Sequence, residues 1–238
     1  FVAHATKSNR KALNVLQRGA ESLIFTIPTE HINFEELLAN IDFDVVNLHF
    51  NFQFLSNAYI KKLLKFLEGY KSNCYLNLDT LGHLARTGNW YSKEGKDQEA
   101  LSEIFNSAKG QENRNVLSVD LALYQNAGAN IVQQLAYAMA HVNEYLNLYS
   151  HRVVHCPVFK ISVGGNYFFE IAKIRALRKL WALLASEYDM SSDCHIIATP
   201  SKRNKTLYAY NINMLRTTSE SMAAILGGAD TVCNLPYD

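Results

Sequence analysis

Polar side chains occupy alternate positions in a short segment near residue 50. Asn47, His49 and Asn51 are separated by leucine and phenylalanine, in the order NLHFNF. Neighbouring side chains of a β-strand point to opposite faces, so these three groups would share one face. Amides and an imidazole can hold a polar ligand by hydrogen bonds, and the imidazole can also transfer a proton. The segment therefore predicts a polar strand face suited to ligand binding or acid–base chemistry.

Several other β-rich segments repeat this alternation and would extend the polar face. Lys160 brings an ammonium group to it, and a buried ammonium group requires a carboxylate partner. Asp79 and Asp120 are the candidates for that partner. The remaining members of the predicted face are Tyr75, Asn77, Ser118, Ser162 and His195.

Motifs that identify the common enzyme classes are missing from the sequence. It contains no HExxH zinc pair, no GxSxG elbow and no phosphate-binding P-loop. His151 and His155 have the spacing of a helical metal pair, but they precede Pro157, where a solvated loop is expected. No metal site is therefore predicted. The cysteines are far apart and form no CxxC pair, which is typical of a chain in a reducing cytoplasm.

The composition is that of a folded domain with balanced charge. The chain has 238 residues, of which 48% are hydrophobic and 19% charged, and its net charge is +1. It can bury a sizeable core, whereas a nucleic-acid-binding surface would need a basic excess. No apolar run is long enough to cross a bilayer. We therefore predict a single domain over residues 1–238 that binds neither nucleic acid nor membrane.

Short β-rich runs alternate with helix-like stretches, and no hairpin signal separates them. Such alternation predicts parallel strands joined by helical crossovers. A helix at 8–18 precedes the first run and would itself follow a strand upstream of Phe1. The β-rich runs lie at 22–27, 45–50, 74–79, 116–120, 158–163, 194–199 and 230–235, and the other helices at 57–70, 98–109, 129–148, 167–188 and 214–226.

With the upstream strand included, the total would be the eight strands that close a TIM-type (β/α)8 barrel. We predict this fold class, with the first strand missing from this chain. The competing class is a doubly wound open sheet, which requires a glycine-rich turn after an early strand. Residues 25–30 read FTIPTE and lack that turn.

Two local features complete the expected fold. The segment 80–96 is rich in glycine and is expected to be a long irregular loop on the active-site face of the barrel. In the helix at 167–188, Glu170 and Lys173 are i,i+3 neighbours and are expected to pair on the helix surface.

Polar groups inside a barrel must be hydrogen-bonded or hydrated, because each unpaired group costs about 1–3 kcal/mol. The interior would be either a channel for a long polar ligand or a plug of mutually bonded side chains. Bulky groups such as His49 and Tyr75 favour the plug, whereas ordinary barrels are filled by Val, Ile and Leu.

Three stretches of the second half carry a family resemblance. They are residues 127–136 (AGANIVQQLA), 167–176 (YFFEIAKIRA) and 211–218 (NINMLRTT). Together they resemble the barrel domain of methylmalonyl-CoA mutases. The resemblance implies a barrel that holds an acyl-CoA along its axis and rearranges methylmalonyl-CoA to succinyl-CoA by radical chemistry. It also implies adenosylcobalamin as the cofactor, bound by a downstream domain that is absent from residues 1–238.

Two departures from the family pattern indicate which kind of member this chain resembles. In catalytic members a Gly-Tyr-His segment precedes the first stretch, and its histidine acts on the substrate carbonyl. Leu123 stands at that position here, and a leucine can neither donate a hydrogen bond nor carry charge. Residues 208–210 (YAY) stand where catalytic members have Gln-Asp-Pro. Both departures resemble the small, non-catalytic subunit of bacterial heterodimeric mutases.

The resemblance to small subunits implies a catalytically silent, cytoplasmic chain whose partner is the catalytic large subunit. No cofactor would be bound by this chain itself, adenosylcobalamin would belong to the assembled enzyme, and acyl-CoA binding is not expected. Two alternatives stay open. One is an active barrel for another acyl-CoA, and the other is an unrelated barrel lyase that uses Lys160 as a Schiff-base nucleophile.

Overall fold

The alternation of strands and helices expected from the sequence is present in the computed structural model, which describes residues 1–149 and 156–236. The chain consists of two compact units, Phe1–Leu117 and Ser118–Asp238. His151 and His155, the pair with helical metal spacing, lie outside the described residues.

The first unit alternates helices with parallel strands. Its strands pair in chain order, β1 with β2, β2 with β3, and β3 with β4. Its elements are α1 (Ala5–Gln17), β1 (Ser22–Ile27), α2 (Phe34–Leu37), β2 (Asn47–Phe52), α3 (Asn57–Phe66), β3 (Cys74–Leu78), α4 (Thr80–Thr87), α5 (Glu94–Ala108) and the beginning of β4 (Arg114–Asp120).

The second unit continues in the same way from the end of β4. Its strands also pair in parallel and in chain order, from β4 to β7. Its elements are α6 (Leu121–Asn126), α7 (Ile131–Tyr149), β5 (Val158–Val163), α8 (Tyr167–Ser186), β6 (His195–Pro200), α9 (Tyr210–Gly227) and β7 (Thr231–Val232).

The strand order decides between the two fold classes. The strands are ordered β1-β2-β3-β4-β5-β6-β7, with every neighbouring pair parallel. A doubly wound sheet would reverse its order at a switch point, whereas a (β/α) barrel keeps each strand beside the next one in the chain. The predicted barrel class is therefore confirmed.

Each unit has its own apolar core. In the first unit, Phe25 and Phe50 stack across β1 and β2 with ring centroids 5.9 Å apart. In the second, Trp181 of α8 is completely buried and meets Phe159 of β5 at 5.9 Å. Aromatic pairs of this kind fix the position of a helix on a strand, because they bury large areas with a defined geometry.

The segment 80–96 is not the continuous irregular loop that the sequence predicts. Its first half forms α4, because the Asp79 side chain accepts a hydrogen bond from the Gly82 N–H at 2.7 Å and caps the helix. Gly88 ends the helix in a left-handed conformation at φ 76°. The sequence does not predict α4, because glycine has a low helix propensity and Gly82 and Gly88 lie within and directly after the helix.

Within residues 1–149 and 156–236, no helix combines the length and the apolar composition needed to cross a membrane.

Candidate functional site

The predicted polar face of the first unit is built by β2 and β3. His49 lies opposite Tyr75 in the register of β2 and β3, and their rings stack at 4.4 Å with planes 9° apart. Both side chains are buried. Asn47 and Asn51 on the same strand are half-buried, and Asn47 accepts a hydrogen bond from the Asn73 N–H at 3.2 Å. The sequence pattern therefore brings bulky polar groups of two strands into contact.

Asn77 lies where the pairing of β3 with β4 is irregular. Its φ is 46°, and the register shifts between Tyr75 and Leu78. Its side-chain oxygen and nitrogen are buried and have no hydrogen-bond partner among the described residues. Asn115 lies opposite Tyr75 in the same pairing and is also buried. Asn115 is not predicted from the sequence, because it precedes the apolar run that identifies β4.

The predicted site residue Asp79 is a helix cap beside a small aromatic cluster. His83, one turn into α4, stacks on Tyr91 with ring centroids 3.7 Å apart. Buried Asp97 holds the following loop by accepting hydrogen bonds from the N–H groups of Tyr91 and Ser92 at 2.7 and 3.1 Å. Burial lowers the pKa of His83, which favours the neutral form of its imidazole. The cluster thus orders the chain after β3.

Gly82→Ala is expected to lower the free energy of unfolding by about 1–2 kcal/mol, because it displaces the Asp79 cap. A Cβ at Gly82 would lie 2.0 Å from the Asp79 Oδ2. Gly95→Ala is the matched control, since a Cβ there meets nothing within 4 Å and alanine improves the propensity of α5. Urea unfolding midpoints compare the two variants. An equal effect of both substitutions would contradict the role of the cap.

The predicted polar face of the second unit is built by β4, β5 and β6. Asp120 lies opposite Lys160 in the register of β4 and β5, and both side chains are half-buried. The register therefore brings to Lys160 one of the two carboxylates that the sequence proposes as its partner. Ser162, two residues along the same strand, is buried.

Ser118 and His195 complete this face of the second unit. Ser118 is fully buried, and its hydroxyl has no hydrogen-bond partner among the described residues. The His195 Nε2 and the Thr231 Oγ1 are 3.0 Å apart across β6 and β7. Burial lowers the pKa of His195, whereas the Asp230 carboxylate opposes that shift.

Glu170 and Lys173 do not pair on the surface of α8, as the sequence predicts, but in the interior. Both are buried, and the Lys173 Nζ lies 2.5 Å from Glu170 Oε2. The same ammonium donates to the Ser162 carbonyl at 2.7 Å and to the Gln134 amide oxygen at 3.3 Å. The helix periodicity predicts that Glu170 and Lys173 are neighbours. It does not predict their interior position, because the Gln134 amide comes from α7 and the Ser162 carbonyl from β5. The pair therefore connects two helices to a strand.

Another buried carboxylate organises the loop between β6 and α9. The Glu220 side chain receives hydrogen bonds from Lys205 and from the Asn204 amide, both at 2.6 Å. The side chain of Glu220 is wholly buried, whereas that of Lys205 is partly exposed. Arg216 also donates to the Asn204 carbonyl. These bonds hold the loop in one conformation.

A cavity of about 730 Å³ lies at the carboxyl ends of β6 and β7. Lys202 and Lys205 supply its charge, and the rest of its lining is apolar or uncharged. The described residues that line it include no histidine, so they offer no imidazole nitrogen to the cobalt of a cobalamin and do not fit that cofactor. Its lining consists of Pro200, Ser201, Lys202, Lys205, Thr206, Leu207, Tyr210, Asn213, Leu235 and Pro236.

Leu123 lies at the carboxyl end of β4, in the short helix α6. The Asp120 side chain caps that helix by accepting a hydrogen bond from the Ala122 N–H at 3.0 Å. Leu123 is half-buried. The next residue, Tyr124, reaches His141 of α7, with its hydroxyl 2.8 Å from Nδ1. The local fold thus presents an alkyl side chain where the resemblance to catalytic mutases expects an imidazole.

Among the described residues, no three His, Cys, Asp or Glu side chains are grouped so that they could hold a metal ion.

Comparisons with known proteins give consistent results. The small subunit of methylmalonyl-CoA mutase from Porphyromonas gingivalis is 31% identical over 99% of this chain, which covers 41% of that protein. The small subunit from Streptomyces virginiae is 27% identical over 99% of this chain, which covers 40% of it. A methylmalonyl-CoA mutase from Cereibacter sphaeroides is 33% identical over 50% of this chain and is covered to 18%.

The chain spans about two fifths of the length of the small subunits it matches. The family model described as methylmalonyl-CoA mutase matches residues 33–238, which include both the half-buried Leu123 and the buried Glu170–Lys173 pair. Together with the parallel strand order, this match shows that the chain belongs to the methylmalonyl-CoA mutase family.

Proposed function

We propose that the chain is the barrel region of the small subunit of a heterodimeric methylmalonyl-CoA mutase. The observation that carries the proposal is the match of two proteins named as small subunits over 99% of this chain. The reaction of the assembled enzyme would be the isomerisation of methylmalonyl-CoA and succinyl-CoA. Because the chain belongs to the mutase family, the alternative of an unrelated barrel lyase with Lys160 as the nucleophile is not supported.

We propose that this subunit is catalytically silent. Leu123 is half-buried and follows the Asp120 cap, and its side chain cannot donate a hydrogen bond to a thioester carbonyl. The loss of a preorganised donor of this kind lowers kcat by about 10²–10³ in other enzymes. The leucine at this position therefore supports the proposal that the subunit has a structural role in the assembled enzyme and not a catalytic one.

We further propose that the polar strand faces fill the barrel interior and leave no path for an acyl-CoA. The stacked rings of His49 and Tyr75 support this proposal in the first unit. The facing positions of Asp120 and Lys160 support it in the second. Bulky side chains at these positions would occupy the space that a thioester and its acyl chain need.

The proposed partner is the catalytic large subunit, which would act with adenosylcobalamin in the assembled enzyme. The cofactor supplies the radical in that chemistry. We propose that the residues of this chain do not bind the cofactor. The four cysteines of this chain are free thiols, which supports a reducing cytoplasm as the compartment of the enzyme.

Coexpression of the full-length small subunit with a large subunit from the same organism tests the proposed function. The expected result is a copurifying pair that converts methylmalonyl-CoA when adenosylcobalamin is added, whereas the small subunit alone converts none. Turnover by the small subunit alone, or of a different acyl-CoA only, would contradict the proposal.

Leu123→His is expected to give no turnover in the small subunit. The substitution supplies an imidazole, but the polar interior would still exclude the substrate. The assay measures succinyl-CoA formed by the full-length variant alone, with circular dichroism to verify folding. Measurable conversion by Leu123→His would show that an acyl-CoA reaches the barrel interior and would contradict the proposed plug.

A further inference from the structure

Helix α9 exposes an uncharged, largely apolar surface. Its exposed positions hold no charged side chain along the whole of the helix, all of which the structure describes. On α8, by contrast, Arg175 and Lys179 are exposed. We name the exposed apolar side chains of α9 the α9 face; they are Ile212, Met214, Leu215, Met222, Ile225 and Leu226.

The polarity of α9 is reversed relative to an ordinary surface helix. A surface helix turns its apolar stripe to the core and its charges to solvent. Here the carboxylate of Glu220 is turned inward, where Lys205 neutralises it at 2.6 Å. Arg216 is half-buried and bonded to the Asn204 carbonyl. The charges of the helix are therefore used inside the unit, and the α9 face keeps only apolar and neutral groups.

The area of this surface is close to what a stable interface needs. Leu215 is 69% exposed and Ile225 62%, and the other members of the α9 face are about half exposed. The six side chains together offer about 600 Å², against about 800 Å² per partner in a standard interface. Leu207 and Tyr208 precede the helix and are 92% and 102% exposed. Their exposed area is larger than the difference between the area of the α9 face and that of a standard interface.

We propose that the α9 face is the surface through which this subunit binds the large subunit of the mutase. This inference rests on the proposed function, which requires a permanent contact between two different chains. The interfaces of permanent complexes are more apolar than those of transient ones, and the centres of interfaces are depleted of charged side chains. The composition and the area of the α9 face match that kind of contact.

The first test places a charge in the centre of the α9 face of the full-length small subunit. Leu215→Glu and Ile225→Glu are each expected to weaken binding to the large subunit by about 30-fold or more, because a buried unpaired carboxylate replaces an apolar contact. Val45→Glu is the matched control, since Val45 is 72% exposed but lies in the first unit. Biolayer interferometry measures the affinities, and thermal melting verifies folding.

A second measurement identifies what covers the surface and does not depend on a disruptive variant. Met222→Cys introduces a thiol into the α9 face, and its reaction with a maleimide is followed by mass spectrometry. The new thiol is expected to react in the full-length small subunit alone and to be protected when the large subunit is added.

Three results would overturn the inference. Folded Leu215→Glu and Ile225→Glu variants that bind as tightly as the wild type would separate the α9 face from the interface. Protection of the new thiol in the small subunit alone would assign the surface to the rest of its own chain or, if sedimentation shows a dimer, to a second copy. A wild-type small subunit that binds no large subunit would overturn the proposed function and this inference together, whereas the first two results leave the proposed function intact.

Discussion

Lys173→Met is expected to lower the free energy of unfolding by about 3–5 kcal/mol, because it leaves Glu170 as an uncompensated charge in the core. The two side chains are 1% and 4% exposed, and Lys173 also loses its hydrogen bond to the Ser162 carbonyl. Burial lowers the pKa of Lys173, while Glu170 opposes that shift, so the ion pair forms against a cost of desolvation. Urea unfolding of the full chain measures the change.

Two further variants make this prediction specific to the buried pair. The double variant Glu170→Leu with Lys173→Met is expected to recover most of the lost stability, since both charges are then removed. Lys61→Met breaks an exposed pair with Glu103 at 2.9 Å and is expected to change the unfolding midpoint far less than Lys173→Met does, because solvent screens that pair. A double variant that is no more stable than Lys173→Met alone would contradict the account of the pair.

Trp181→Ala is expected to lower the free energy of unfolding by about 3–5 kcal/mol, because the cavity it leaves cannot close. The indole is 0% exposed and contacts Phe159. Its Nε1–H donates to the Asp193 carbonyl at 3.0 Å, and the variant leaves that acceptor unpaired.

Leu183→Ala on the same helix is the control for Trp181→Ala. Leu183 is 66% exposed, and its substitution is expected to change stability by no more than about 0.5 kcal/mol. The two variants are compared by urea denaturation under the same conditions. Similar unfolding midpoints for the two variants would show that the buried Trp181 side chain does not stabilise the packing of α8.

The strands and long helices are predictable from the sequence because their burial is periodic. The predicted strand at 22–27 and the start of the helix at 167 agree with β1 and α8. The short helices α2, α4 and α6 are not predicted, because each depends on a cap rather than on an apolar stripe. Asn33, Asp79 and Asp120 provide those caps. A cap is one hydrogen-bonded side chain, and many loops contain the same residue types.

The polar site is only partly predictable for a different reason. Alternation along one strand assigns His49 to a face, but the stacking with Tyr75 depends on the register of β2 and β3. The interior position of Glu170 and Lys173 depends on α7 and β5, which the i,i+3 spacing does not reveal. Asn115 escapes detection because its strand extends beyond the apolar run at 116–120. Contacts between elements decide these features, and the residue pattern of one sequence does not reveal such contacts.

The stoichiometry of acyl-CoA binding tests the central claim most directly. The assembled pair of full-length subunits is titrated with a non-reacting acyl-CoA analogue in a calorimeter. The account predicts one bound molecule per heterodimer and no heat of binding for the small subunit alone. Two bound molecules per heterodimer, or saturable binding to the small subunit alone, would show that its barrel admits the thioester and would contradict the account.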